Sequence, residues 1–227
     1  MADEALQRWR RAAATGDAEA ETRLLAGRVR AGELAPERLR LASYLGAPAA
    51  RELAPLEQRG TWAIGLWEFG AEAVVRAGIA AARARIARVH DGVRTELALE
   101  LLEAWLVEPD PRGKAALRAR AEALAPGASE LLRWVLRLFA EYERAGPRVV
   151  EGCFLPGPVY ELMQAAEAAA GARPGKGRAA RDSRGLAAAT VRLAIRQELL
   201  PWCLGEGDPL RSRVGERSAG PRPQDPA

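Results

Sequence analysis

The chain has 227 residues, with 34 basic and 30 acidic side chains, and it is rich in Ala, Leu, Arg and Glu, whereas aromatic residues make up only 5%. These strong helix formers, combined with sparse β-branched residues, predict an all-α fold without a sheet of consequence. No uncharged apolar run approaches the roughly 18 residues of a membrane span, and the acidic sequence at 1–4 is unlike a secretory signal. A cytoplasmic bacterial protein is therefore expected.

Start and stop signals divide the chain into helices. Asp17 precedes a first turn rich in acids, Pro36 occupies a first-turn position, and Gly46 is suited to the left-handed residue after a helix. Together these signals predict a multi-helix bundle or helical-repeat-like array of about 8–10 helices. The predicted helices span residues 4–14, 17–31, 36–45, 47–53, 61–90, 93–107, 112–125, 129–144, 158–171 and 185–204.

Composition predicts three regions. Residues 1–58 form an N-terminal module of short helices, and residues 59–204 form the main helical body. Residues 205–227 are rich in Gly, Pro, Arg and Ser and are predicted to be a disordered tail.

The helix predicted over 61–90 contains many Gly and Ala residues, which allow neighbouring helices to approach closely. We therefore expect it to be the central packing element, with a kink near Gly65 or Gly70. Three tryptophans within apolar helical patterns are expected to anchor the core: Trp67, Trp105 and Trp134.

The positive charge is concentrated near the C-terminus. Residues 172–227 contain eleven basic and six acidic side chains, and the rest of the chain is close to neutral. A basic flexible loop is predicted at 172–184, either a solvated linker or a contact for nucleic acid. No aromatic residue interleaves its basic side chains, as stacking on single strands would require. These side chains are Arg173, Lys176, Arg178, Arg181 and Arg184.

Three glutamates, Glu96, Glu100 and Glu103, share one face of a predicted helix because their spacing is i, i+4 and i+7. One interpretation is a solvated acidic face that pairs with arginines. The other is a contact for a cationic partner or a metal. A di-iron bundle is excluded, because it needs Glu-x-x-His pairs and the chain has a single histidine, His90.

The sequence shows no catalytic constellation. The segment 171–177 differs from a phosphate-binding loop, which needs four residues between its glycines and Ser or Thr after the lysine. Cys153 and Cys203 form no CxxC pattern and are expected to be reduced. His90 is expected to stabilise a helix end. The sequence thus predicts no catalytic, cofactor-binding or metal-binding residue, although an enzyme with an unrecognised helical pocket stays a third hypothesis.

Part of the chain, about 61–125, resembles Ala-rich helical immunity proteins of bacterial polymorphic toxin systems. The turn rich in Asp and Pro that we associate with that family is shortened here to 91–93. The resemblance implies a non-enzymatic protein that binds and neutralises a partner protein; the alternative is a nucleic-acid-associated protein that uses the loop at 172–184. The possible partner contacts are the three glutamates and the five basic residues named above. The resemblance is carried by Trp67-Glu68, Glu72-Ala-Val-Val-Arg76, His90-Asp91, Arg94 and Glu100-Leu-Leu-Glu-Ala-Trp105-Leu106.

Overall fold

The computed structural model describes residues 2–56, 65–86, 91–144 and 178–219. Within these ranges it has ten α-helices, one 3-10 helix at Leu66–Phe69 and no strand, which confirms the predicted all-α bundle. None of these helices is long and apolar enough to cross a membrane. The α-helices are α1 (Ala2–Ala14), α2 (Ala18–Arg30), α3 (Pro36–Leu45), α4 (Pro48–Leu53), α5 (Ala71–Ile86), α6 (Gly92–Val107), α7 (Pro111–Glu122), α8 (Glu130–Arg144), α9 (Arg178–Leu204) and α10 (Pro209–Ser218).

The ends of the N-terminal helices lie where the sequence predicts them. The Asp17 carboxylate accepts a hydrogen bond from the Ala20 amide at the start of α2. Pro36 lies in the first turn of α3, and Gly46 ends that helix with a φ of 93°. Local side-chain chemistry is therefore sufficient to determine these boundaries.

The single long helix predicted over 61–90 is wrong. The 3-10 helix Leu66–Phe69 stops at Gly70, and α5 begins at the next residue. Gly70 has a φ of 89° and a ψ of 168°, a conformation that only glycine adopts readily. The chain therefore changes direction at Gly70 instead of bending within one helix. Residues 57–64 and 87–90 lie outside the described ranges.

Helix α5 is the central packing element, as the sequence predicts. All ten residues at 73–82 are buried, so the helix is covered on every side. A methyl group added at Gly78 would lie 2.7 Å from Leu138 Cδ2 of α8. The absence of a side chain at Gly78 is what lets these two helices approach closely.

The buried apolar residues form one continuous cluster that extends from Leu25 in α2 to Leu210 in α10. It takes residues from both 1–58 and 59–204, so the core itself does not divide there. The three-region organisation stays a prediction about the chain.

The tryptophan prediction is right for one residue of three. Trp105 is 3% exposed and makes edge-to-face contacts with Phe139 and Tyr142. Trp67 and Trp134 are only partly buried and lie at the border of the core. Apolar helical spacing identifies the inward face of a helix but not how completely neighbouring helices cover it.

The predicted bounds of the C-terminal flexible loop and of the disordered tail are too wide. Residues 178–184 belong to α9 instead of a flexible loop, and Pro201 lies within that helix. Residues 209–218, predicted to be part of a disordered tail, form α10, and Leu210 is fully buried. Asp208 followed by Pro209 is a helix-start signal that the composition of the segment conceals. Residues 172–177 and 220–227, and the helix predicted at 158–171, lie outside the described residues.

We expect Gly70→Ala to lower the free energy of unfolding by about 1–3 kcal/mol through backbone strain. Neither Gly70 nor Gly207 has another atom within 4 Å of an added Cβ, but only Gly70 has a positive φ. Gly207→Ala is therefore the matched control and should be close to neutral. Urea denaturation of both variants measures the difference; equal stabilities would contradict a conformational requirement at Gly70.

Candidate functional site

The side chain of Glu103 in α6 is completely buried, with 0% exposure. Its carboxylate accepts two hydrogen bonds from Arg83 of α5, from Nε at 3.1 Å and from Nη2 at 3.0 Å. Helix α10 supplies two more donors, Arg213 Nε at 2.9 Å and Arg217 Nη2 at 2.6 Å. Three guanidinium groups thus replace the water that an ionised carboxylate would otherwise need.

Two further glutamates complete what we call the ionic cluster. Arg213 also donates to both oxygens of Glu198 in α9, at 2.8 and 2.9 Å. Arg83 donates to Glu96 at 2.6 Å. The ionic cluster comprises three arginines and three glutamates, is formally neutral, and joins α5, α6, α9 and α10. Its members are Arg83, Glu96, Glu103, Glu198, Arg213 and Arg217.

The ionic cluster favours the charged forms of Glu103 and Arg213. Burial by itself would raise the pKa of Glu103, but hydrogen bonds from Arg83 and Arg217 and the positive charges of Arg83 and Arg213 lower it below its ordinary value. Burial would lower the pKa of Arg213, yet its bonds to Glu198 and the nearby carboxylates raise it. In both residues the contacts within the cluster therefore outweigh the effect of burial and favour the charged form.

A second ion pair attaches the start of α10 to α5. Arg76 is 2% exposed and donates to both oxygens of Asp208, at 2.8 and 3.0 Å, and to Glu72 at 3.0 Å. Asp208 also accepts the backbone amides of Leu210 and Arg211 as the N-cap of α10. Burial would raise the pKa of Asp208, but the hydrogen bond and charge of Arg76 lower it.

The end of α9 lies beside this pair. The guanidinium groups of Arg38 and Arg76 both lie over the Trp202 ring, with Cζ atoms 4.7 and 4.5 Å from its centroid. The neighbouring Cys203 is fully buried, and burial raises the pKa of its thiol to about 12. Because the thiolate is the reactive form, Cys203 has the properties of a packing residue and not of a nucleophile.

The three glutamates predicted to share one acidic face have different surroundings in the structure. Glu96 and Glu103 both pair with Arg83, whereas Glu100 is half-buried one turn away. Glu103 is not solvated, so it offers no surface to a partner while α10 is in place. Within the described residues, no group of three or more His, Cys, Asp or Glu side chains could hold a metal ion.

Of the five basic residues predicted as partner contacts, three lie in a described helix and two lie outside the described residues. Arg178, Arg181 and Arg184 lie in the first turns of α9. Arg173 and Lys176 lie outside the described residues.

The sequence did not predict that Arg83, Arg213 and Arg217 bind Glu103. One signal was present: Glu103 interrupts the apolar run of α6, as a buried charge would. Arg213 and Arg217 are spaced i and i+4, which places both on one side of a helix. Nothing in the sequence shows that these two features meet.

One side of α6 has exposed apolar residues, and we call this area the α6 surface. Val93 is 87% exposed and Leu97, one turn later, is 40% exposed. Glu96 and Glu100 lie beside them and are each partly exposed. The α6 surface is therefore a small apolar area bordered by carboxylates.

Comparisons with protein families, with curated proteins and with solved structures find no match for this chain. The resemblance of about 61–125 to immunity proteins stays a prediction.

We expect Glu103→Gln to lower the free energy of unfolding by about 1–3 kcal/mol, because three partly exposed guanidinium groups lose their shared counter-charge. Glu100→Gln on the same helix is the control, since a half-buried residue outside the cluster should change stability by no more than about 0.5 kcal/mol. Urea denaturation followed by circular dichroism gives both values. Equal losses would show that the cluster contributes nothing specific.

The pH dependence of stability should have a definite sign. Glu103 and Asp208 have lowered pKa values in the folded protein, so their contribution is present above the unfolded carboxyl pKa of about 4 and is lost as the pH falls through the lowered values. We expect the free energy of unfolding to decline below about pH 4. The decline should be shallower in Glu103→Gln; a parallel decline would exclude Glu103 as a source.

Proposed function

We propose that this chain is a non-catalytic protein-binding module that contacts its partner through the α6 surface. The observation that carries the proposal is the 87% exposure of Val93, with exposed Leu97 on the same side of α6. An apolar side chain gains free energy when a partner removes it from water. Two such side chains one turn apart provide an apolar centre, and the polar residues around them provide the rim that is usual in protein interfaces.

The surroundings of the α6 surface indicate the chemistry of the partner. Glu96 and Glu100 border its apolar centre, so a complementary surface has an apolar side chain flanked by lysine or arginine. On the adjoining side of α6, Glu103 attaches the helix to the ionic cluster. The helix therefore offers a rigid surface, which lowers the entropic cost of binding.

The narrower form of the proposal is an immunity-like protein that neutralises its partner. It is supported by the resemblance of about 61–125, which includes all of α6. In this form the partner is a toxin whose harmful activity stops when the α6 surface is occupied.

The alternative, a nucleic-acid-associated protein, has less support. Arg213 and Arg217 contribute to the positive excess of 172–227, but both are bound within the ionic cluster. Fewer cations of this region are thus free for phosphate groups. The basic residues at 173–184 still provide a direct test, because phosphate contacts make binding strongly dependent on salt.

A photo-crosslinking residue at position 93 would identify the partner in cells that express the chain naturally. The control places the same residue at Ala115, an exposed position on α7. The proposal requires an adduct with one protein from position 93 and not from 115. The recovered protein is then purified for binding measurements.

We expect the double variant Val93→Gln and Leu97→Gln to weaken binding of that protein by tenfold or more, since about 1.4 kcal/mol of lost apolar burial corresponds to a factor of about ten. Gln is a good helix former, so the fold should be retained. Leu193→Gln, at a leucine on α9 that is 54% exposed, is the matched control and should bind normally.

A further variant distinguishes the two candidate functions. It exchanges the five basic residues at 173, 176, 178, 181 and 184 for Gln. If the α6 surface is the contact, this variant binds the protein partner normally. Its salt-dependent affinity for RNA or DNA is then the same as that of the parent chain. Normal binding by the Val93 and Leu97 variant, together with lost binding by the five-residue variant, would contradict the proposal.

A further inference from the structure

Helix α10 is attached to the bundle mainly by charge. Leu210 is its one fully buried side chain, and Val214 is half-buried. The remaining attachments are ion pairs: Asp208 just before the helix binds Arg76, and Arg213 and Arg217 bind the ionic cluster. A helix attached in this way depends on a few directional contacts rather than on a broad apolar surface.

The geometry of the connection allows α10 to separate. Three residues, Gly205, Glu206 and Gly207, link the end of α9 to Asp208, and Gly207 has no other atom within 4 Å of the position of a Cβ. Two glycines in so short a link provide wide backbone freedom. A helix of ten residues is not stable alone in water, so α10 would lose its structure after it separates.

Separation would change the charge of the surface beneath. Without Arg213 and Arg217, the ionic cluster retains Glu96, Glu103 and Glu198 against Arg83 alone, a net charge of −2. Arg76 would keep Glu72 but lose Asp208. The docked helix therefore covers an acidic surface that α6 and α9 form together.

We propose that α10 is a clasp: a C-terminal helix that docks through ion pairs and is released as a unit, uncovering the acidic surface while helices α1 to α9 stay folded. The clasp does not rest on the proposed function, because Val93 and Leu97 take no part in it; Glu96 belongs both to the ionic cluster and to the border of the α6 surface. Salt shifts it towards the released state, since ions screen the partly exposed guanidinium groups of Arg213 and Arg217, which are 27% and 32% exposed.

Hydrogen–deuterium exchange on the full chain, resolved to peptides by mass spectrometry, tests the clasp. In the double variant Arg213→Gln and Arg217→Gln we expect amides at 209–218 to exchange about tenfold faster or more, while those at 73–82 in α5 keep their protection. Raising NaCl from about 0.05 to about 1 M should move the parent chain in the same direction. Glu216→Gln is the control on the same helix, because Glu216 is exposed and is not a member of the ionic cluster.

The double variant also removes two partners of Glu103, which could destabilise the whole bundle. A second variant therefore distinguishes release of α10 from general unfolding. Asp208→Asn removes the ion pair with Arg76, keeps a good N-cap residue and does not touch Glu103. Faster exchange confined to 209–218 in Asp208→Asn supports the clasp. Unchanged exchange at 209–218 in both variants, or equal acceleration at 73–82 in Asp208→Asn, would overturn it.

Discussion

The Glu103 carboxylate lies in the interior of an Ala- and Leu-rich bundle, where an ionised group needs charged partners to be tolerated. Arg83, Arg213 and Arg217 provide them from two different helices. Small apolar side chains constrain the sliding and rotation of packed helices weakly, whereas a two-pronged guanidinium–carboxylate contact fixes both distance and direction. The Glu103 carboxylate is therefore a fixed point at which α5, α6 and α10 meet, in addition to the apolar core that these helices share.

This constraint links architecture to the proposed binding role. Helix α6 joins the ionic cluster through Glu103 and Glu96 and exposes Val93 and Leu97 on the adjoining side, so the proposed contact surface lies next to these ion pairs. The same contacts couple the C-terminal helix to α6, because Arg213 and Arg217 reach Glu103 directly. Release of that helix would change the electrostatic field behind the α6 surface without changing its exposed residues.

The sequence was informative where structure is determined locally and silent where it depends on distant groups. Asp17, Pro36 and Gly46 determine helix ends through their own chemistry, and these ends were predictable. The break at Gly70 was not, because a glycine within a helical pattern can bend, end or simply continue a helix. The ionic cluster depends on residues 110 and 114 positions apart in the chain, a proximity that no local pattern encodes. For the same reason a basic C-terminal segment looked like a tail, although part of its charge belongs to the core.

The close approach of α5 and α8 has a consequence for how this sequence can vary. At Gly78 the space of a single methyl group is already occupied by Leu138, whose Cδ2 would lie 2.7 Å from it. Any side chain gained at 78 requires volume lost at 138, as in a paired change to Ala and Val, and either member changed alone leaves a collision or a void. Positions 78 and 138 are thus sterically coupled, and a redesign of this part of the bundle has to change both residues together.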